Sequence, residues 1–484
     1  MKTRNILFAM LLPTVMSVFT SAAATGAETK PNIVFIVADD LGYGEAGCYG
    51  GDIPTPQIDS LARNGVRFTS GYVTAPFCAA SRAGLMTGRY GTRFGFEFNP
   101  IGAQNAEPGV GLPVGERTLA DALRDAGYAT ALIGKWHLGG TAPFHPQRRG
   151  FDEYFGFLSE GHYYVPPPWT GHVTWLRRKA LPDGGKGRWI SPDGRMVWCT
   201  EMDGYEPEYD ADNPLLRNGQ PVNEPANLTD AFTREAESFI ERHRQQPFFL
   251  YLAYNAVHSP MQAGDAYLRR FAGIEDIHRR IFAGMLSQLD DGIGRVLAKL
   301  RACGLEERTL VVFISDNGGP TKELTSSNRP LRGGKGELFE GGVRIPFILQ
   351  WKGRLAAGRE ERRMVSSLDL FPTAVVAAGA KPDAKLDGVD LLPRLTQTDG
   401  APIRAEHFWR VGAMAAARVG DWKLVRPRRN DAWQLYDLAN DISETHDLAS
   451  QQPDKVRELE ARWKQWNSEQ VAPAWMSGAR KPKP

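Results

Sequence analysis

The sequence predicts an α/β fold, a large and mostly parallel sheet sandwiched by helices, followed by a smaller C-terminal α+β subdomain of antiparallel strands and one helix. Three observations carry this reading. Near-continuous apolar runs such as "NIVFIVADD", "YATALIGKWH", "PFFLYLAYNAVH" and "RTLVVFISDN" recur along the chain. Runs of this kind are buried on both faces, as parallel strands are. Amphipathic helical patterns separate them, and alternation of the two elements is the signature of a helix-covered parallel sheet.

In chain order, the first thirty residues come first. Lys2 and Arg4 precede an apolar run from Ile6 to Phe19 and the small residues Ser21 to Ala24. That order reads as a secretory signal peptide over residues 1–24, cleaved after Ala24 or, as a second option, after Ala27. Residues 28–379 read as one α/β domain. Its helices are read from "GERTLADALRDAG", "LTDAFTREAESFIERHRQQ" and "RRIFAGMLSQLDDGIGRVLAKLRACG", stopped by Gly127, Pro247 and Gly304 respectively. Residues 159–226 are rich in Gly, Pro and aromatics without periodicity, and read as an irregular insertion with short hairpins that walls a binding site. Residues 380–484 form the C-terminal subdomain: "AEHFWRV", "MAAARVGDWKLVR" and "WQLYDLAND" alternate as strands, and "QPDKVRELEARWKQWNSE" closes as a helix.

Composition narrows the function classes. Lys+Arg number 58 against 56 Asp+Glu, and without Lys2 and Arg4 the charges balance, so nothing draws the chain globally to nucleic acid or anionic lipid. No apolar segment after the first is long enough to span a membrane. Four cysteines, Cys48, Cys78, Cys199 and Cys303, are too few for a disulfide scaffold. If Cys78 has another task, at most one bridge remains among the other three, with its pairing open.

In open parallel sheets, ligands sit beyond the carboxyl ends of the strands. The polar residues ending these runs are Asp39 and Asp40, Lys135 and His137, His258, and Asp316 and Asn317. Three carboxylates and an amide oxygen make a hard site suited to Ca²⁺ or Mg²⁺. Lys135 and His137 share a face if their strand stays extended. Lys335 lies in "LRGGKGELFEGG", where glycines let backbone approach a ligand. Cys78 precedes a possible helix in "CAASRAGLMTG", and a helix N-terminus beside Arg82 would favour an anion at or near its thiol. Taken singly, each piece is ordinary turn, surface or core chemistry. A soft thiolate also sits awkwardly beside a hard metal.

The segment "CAASRAGLMTGRYG" resembles the Cys-x-Pro/Ala-x-Arg signature of type I sulfatases, of the alkaline phosphatase-like superfamily. "DDLGYGE", "GKWHLG", "HSP", "SDNGG" and "GGKGELFEGG" follow the family order over roughly residues 30–375, and "DWKLV…LYDL" resembles its C-terminal pattern. The resemblance implies that a formylglycine-generating or radical maturation enzyme oxidises Cys78 to formylglycine (3-oxoalanine). The hydrated aldehyde then offers one hydroxyl to attack sulfur and another to drive release. It implies one calcium held by Asp39, Asp40, Asp316, Asn317 and modified residue 78. Arg82 and Lys135 would hold the hydrate, His137 would take its second proton, and His258 and Lys335 would contact sulfate and the departing oxygen. Ala80 stands where many members have proline, a departure that bears on which maturation system accepts the chain.

The expected function is hydrolysis of sulfate esters by a secreted or periplasmic enzyme. The favoured substrate is a sulfated carbohydrate, either a galactan such as carrageenan or N-acetylgalactosamine sulfate in a glycosaminoglycan. Candidate substrate contacts are His145, Arg148, His162, Tyr163, Tyr164 and Trp169, in the blocks "APFHPQRRGFDEYFGF" and "SEGHYYVPPPW", with "RFGFEFNP" as a further wall. The alternatives are a formylglycine-dependent phosphonate or phosphodiester hydrolase and a noncatalytic protein that binds sulfated sugar.

Overall fold

The computed structural model describes residues 30–202, 206, 213–396 and 400–476; the expected signal peptide lies outside the described residues. Five strands form the centre: β1 (Asn32–Ala38), β2 (Ala129–Lys135), β3 (Glu153–Phe157), β4 (Phe248–Ala253) and β5 (Thr309–Ser315). They run parallel in the order β3-β2-β4-β1-β5. Shorter strands extend both edges to ten, with Phe347–Gln350 antiparallel to β5. Every residue of β1, β4 and β5 is buried. Alternate side chains explain this. Ile33, Phe35 and Val37 join one apolar cluster while Val34, Ile36 and Ala38 join another on the opposite face. The second face is covered by helices α2 (Leu228–Arg242) and α3 (Ile277–Ala302), and the first by α1 (Cys78–Thr87) among others.

Two sequence expectations change. The strand carrying Lys135 ends there, because His137 turns into the left-handed region at φ 59°, so the two side chains do not share an extended face. The insertion is more ordered than its composition implies. His172–Arg177, Met196–Cys199 and Arg188–Ile190 form a small sheet completed by Met261–Gly264 from outside it. Its central pair is parallel, a long-range pairing that carries no local turn signal. Among the described residues all four cysteines are free, so none of Cys48, Cys199 and Cys303 forms the bridge left open above.

The C-terminal strands Glu406–Val411, Met414–Val419, Trp422–Arg426 and Gln434–Asp437 form an antiparallel meander backed by α4 (Pro453–Ser468). A buried ionic cluster docks it to the α/β domain. Glu340 accepts from Lys423 Nζ at 2.7 Å and Arg344 Nη1 at 3.2 Å, and also from the Tyr72 hydroxyl. Glu444 accepts from the Glu340 backbone N–H at 2.7 Å. Burial opposes both carboxylates, but Lys423, Arg344 and Arg418 outweigh it at Glu340 and hold its pKa at about 2. At Glu444 burial prevails, opposed by Lys423 and reinforced by Glu340, and the pKa rises to about 8.

The sign of the pH effect follows. Between its ordinary value of 4.5 and about 8, Glu444 binds more proton in the folded chain than in the unfolded one. Its contribution therefore falls as pH rises through that window. Glu444→Gln is expected to flatten the decline in melting temperature across it, as read by calorimetry. Lys423→Met, which leaves Glu340 buried without its closest cation, is expected to cost about 3–5 kcal/mol.

Candidate active site

Asp39 and Asp40 follow β1 directly. Asp39 is held by backbone bonds to the loop after β4, its N–H donating to the Ala256 carbonyl at 3.0 Å and its carbonyl accepting from Val257 at 2.9 Å. Asp40 adopts φ 64°, a conformation unfavourable for a residue with a Cβ. It is kept there by Ser326 Oγ, which donates to its carbonyl at 2.9 Å, and by its own N–H, which reaches Asp316 Oδ1 at 3.2 Å. The two glycine-rich loops then meet backbone to backbone. Gly318 N–H donates to Gly342 O, and a Cβ on Gly318 would lie 1.7 Å from the Gly341 oxygen. This close approach carries Asn317 and Lys335 to the same point.

There, Asp39, Asp40, Asp316 and Cys78 place one ligand atom each within 4.8 Å of one another, all buried, and Asp39, Cys78 and His258 form a second such group. Cys78 Sγ lies 3.5 Å from Asp39 Oδ1 and 4.0 Å from Asp40 Oδ1. Three cations face the carboxylates. Arg82, one turn along α1 from Cys78, donates through Nε to Asp316 Oδ2 at 2.9 Å and through Nη1 to the Lys135 carbonyl at 3.1 Å. Lys135 Nζ reaches Asp39 Oδ2 at 2.6 Å, and Lys335 Nζ reaches Asp40 Oδ2 at 2.8 Å. Asn317 Nδ2 donates to Asp40 Oδ1 at 2.7 Å, while its Oδ1, buried, has no hydrogen-bond partner among the described residues. A third carboxylate cluster member and this free amide oxygen are hard donors of the type that suits Ca²⁺ or Mg²⁺.

Electrostatics sort these groups. Burial raises Asp40, but the charges of Lys335 and Lys135 and the hydrogen bond from Lys335 outweigh it and bring it to about 2. Burial and then Asp39 lift Asp316 to about 6. Burial drives the Cys78 thiol far up, against Lys135 and Lys335 and helped by Asp39 and Asp316. α1 begins at Cys78, and the anions beside its first turn and Arg82 are the carboxylates of Asp39 and Asp316, while burial and these carboxylates together oppose ionisation of the thiol itself.

Both histidines are neutral, lowered well below the usual value by burial first, then by Lys135 at His137 and by Lys335 at His258. His137 Nε2 donates to the Pro100 carbonyl at 2.9 Å, which leaves buried Nδ1 as an acceptor without a partner among the described residues. His258 Nδ1 donates to the Ser259 carbonyl, and its Nε2 stands 3.7 Å from Asp40 Oδ2.

Every catalytic and metal-ligating candidate read from the sequence is thus in or around one centre. The substrate-contact candidates divide. Tyr164 is buried, its hydroxyl donating to the Asn255 carbonyl at 2.6 Å and the His258 carbonyl at 2.9 Å, so it anchors the His258 loop. Tyr163 packs on Trp169 with ring centroids 5.5 Å apart, and His162 tilts against Phe157. His145 stands edge-on to Tyr154 and accepts from Gln147 N–H, and Arg148 is exposed. Among the described residues, no hydrogen bond, ion pair or ring contact joins His145 or Arg148 to the centre. Sequence reading missed Asn99, whose Oδ1 accepts from Ala79 N–H at 2.9 Å in the first turn of α1. Asn-Pro is a turn signal, but no spacing rule ties it to a helix twenty residues earlier.

The family model described as Sulfatase matches residues 31–380, and that described as N-sulphoglucosamine sulphohydrolase, C-terminal, matches residues 334–469. The chain is 35% identical over 433 residues to N-acetylgalactosamine-6-sulfatase of Mus musculus, covering 87% of this chain and 76% of that one. It is 34% identical over 426 residues to Arylsulfatase A of Homo sapiens, covering 83% and 76%. The solved structure of Ps i-CgsB in complex with k-i-k-neocarrahexaose superposes with a TM-score of 0.80 at 35% identity, covering 92% of this chain and 95% of that one. Phosphonate Monoester Hydrolase of Agrobacterium radiobacter, at 20% identity and a TM-score of 0.63 over 91% and 96%, shares the fold.

Asn99→Ala removes an acceptor from the first turn of α1. It is expected to cost about 1 kcal/mol, read as a lower urea midpoint, with Asn99→Asp retaining most of it.

Proposed function

This chain belongs to the sulfatase family and is a sulfuric ester hydrolase; from that premise we propose that it removes sulfate from a sulfated carbohydrate, using formylglycine made from Cys78 and one calcium ion. The observation that carries the reading is a buried thiol set among hard oxygen donors and three cations. As a thiol, Cys78 suits neither nucleophilic attack nor this metal chemistry. As a precursor of an oxygen nucleophile it suits both.

Asp39, Asp40, Asp316 and the open Oδ1 of Asn317 would hold the calcium together with residue 78. When bound, the ion supplies positive charge that orients the hydrated residue and draws sulfate oxygens. It also changes the local balance. Three carboxylates against Arg82, Lys135 and Lys335 sum to zero with both histidines neutral, so a divalent ion leaves the pocket positive and suited to an anionic ester.

The other steps belong to the chain's own groups. Arg82 and Lys135 fix the oxygens of residue 78 while neutralising Asp316 and Asp39. His137 accepts a proton at Nδ1, the atom left free by the Nε2 bond to Pro100, which provides the base for releasing sulfate. Lys335 and His258 face Asp40 from the other side, where they stabilise the departing alcohol oxygen, Lys335 through its ammonium charge. A noncatalytic sugar binder has no use for the free base at His137.

Carbohydrate is favoured over small aryl esters by the names of the relatives at 35% identity. The phosphonate hydrolase alternative has support from a shared fold. Cys78, Ala80 and Arg82 are all buried, so a maturation enzyme would meet them before the domain closes. Among the described residues no helix is long and apolar enough to cross a membrane, and secretion or periplasmic export remains our reading of the N-terminal residues.

In protein from the native host, mass analysis of the peptide over residues 75–89 is expected to show aldehyde in place of the thiol, and Cys78→Ala to abolish turnover. Active protein with unmodified Cys78 would overturn the mechanism. Lys335→Ala is expected to lower kcat about 10²–10³-fold. On sulfate and phosphate esters of one alcohol, the sulfate is expected to be hydrolysed faster.

A further inference from the structure

The small insertion sheet begins at the site and leads away from it. Met261–Gly264 follows His258 by three residues and forms one edge, and the order continues through His172–Arg177 and Met196–Cys199 to Arg188–Ile190. Its two faces differ. Trp175, Val197 and Cys199 point into the core shared with α3. The register pairs Leu176 with Trp198 and Trp198 with Trp189, which places these three on the other face. Tyr163 and Trp169 cover Leu176 there, while Trp198 and Trp189 stay half-buried, with ring centroids 5.6 Å apart. The Arg178 guanidinium lies 5.6 Å from the Trp198 ring.

This face matches a sulfated glycan in two respects. Indole rings at a half-exposed surface stack on the apolar faces of pyranose rings, and an arginine beside them can pair a sulfate oxygen through two donors. Of the other arginines of this sheet, Arg177 pairs with Glu206 at 2.8 Å, Arg188 with Asp276 at 3.7 Å and Arg195 with Asp265, whereas Arg178 reaches the Glu206 carbonyl through Nη1 at 3.4 Å and keeps its charge beside the indoles. At about 4.8 Å per strand, Trp198 and Trp189 lie about 10 and 14 Å across the sheet from its edge at the site, within reach of a few sugar units.

We propose that Trp189, Trp198 and Arg178 form a distal subsite for the part of the glycan beyond the residue that loses its sulfate. This rests on the carbohydrate sulfatase reading, and it makes the enzyme select for chain length. The occupant is the polymeric substrate itself, because the sheet edge is continuous with the His258 loop through Tyr163 and Tyr164.

The test uses the matured full chain with Trp189→Ala and Arg178→Gln, and Trp198→Phe as a milder third variant. Two quantities are read: the ratio of kcat/KM on a hexasaccharide to that on the disaccharide, for carrageenan and chondroitin sulfate series, and retardation in gels containing each polymer. The expected result is that Trp189→Ala lowers the ratio about tenfold on the preferred series and weakens retardation. An unchanged ratio and unchanged retardation would overturn the subsite. Retardation of the wild type that is lost in Trp189→Ala, with no desulfation of either carbohydrate series by the wild type, would keep the subsite and overturn the carbohydrate sulfatase reading instead.

Discussion

Compensation of three buried carboxylates is the constraint on which the rest of the structure depends. Asp39, Asp40 and Asp316 sit together out of water, and each is met by a cation from a different part of the chain: Lys135 from the end of β2, Lys335 from a glycine-rich loop, Arg82 from α1. Unpaired, any one of these charges would be strongly destabilising. The pairing therefore fixes how the strand ends, the helix and the loop register against one another. It does so at the one place where Asp40 takes a backbone conformation unfavourable for its residue type. Order and function coincide because the same oxygens that demand cations are the donors a hard metal requires.

The C-terminal subdomain applies the same principle at a second site. Glu340 closes the loop that carries Lys335, and its carboxylate is held by Lys423 of the C-terminal sheet. The glycine-rich loop is thus clamped at one end by the Asp316–Asn317 turn and at the other by the subdomain. The C-terminal strands thus reach the loop of Lys335 through Lys423 and its bond to Glu340.

Much of this was legible in the sequence because strand ends and apolar runs are local signals. Asp39, Lys135, His258 and Asp316 each follow a run whose burial was evident, and parallel topology brings such ends together. What was not legible depended on long-range contact. The acceptor role of Asn99, the buried hydroxyl of Tyr164 beneath the His258 loop, and the parallel pairing inside the insertion all join residues with no periodic relation. The state of the thiol was not legible for a related reason: a helix N-terminus is visible in sequence, whereas the burial of Cys78 and the charge of Asp39 and Asp316 folded against it are not.

Calcium binding to the purified protein tests the account most directly, read by metal content and by melting temperature against calcium concentration. The account predicts one calcium per chain, a melting temperature that rises with added calcium as ligand linkage requires, and loss of both in Asp40→Asn. A wild-type chain that holds no calcium and melts at the same temperature with and without it would contradict the claim that this cluster of carboxylates is a metal-dependent sulfate pocket.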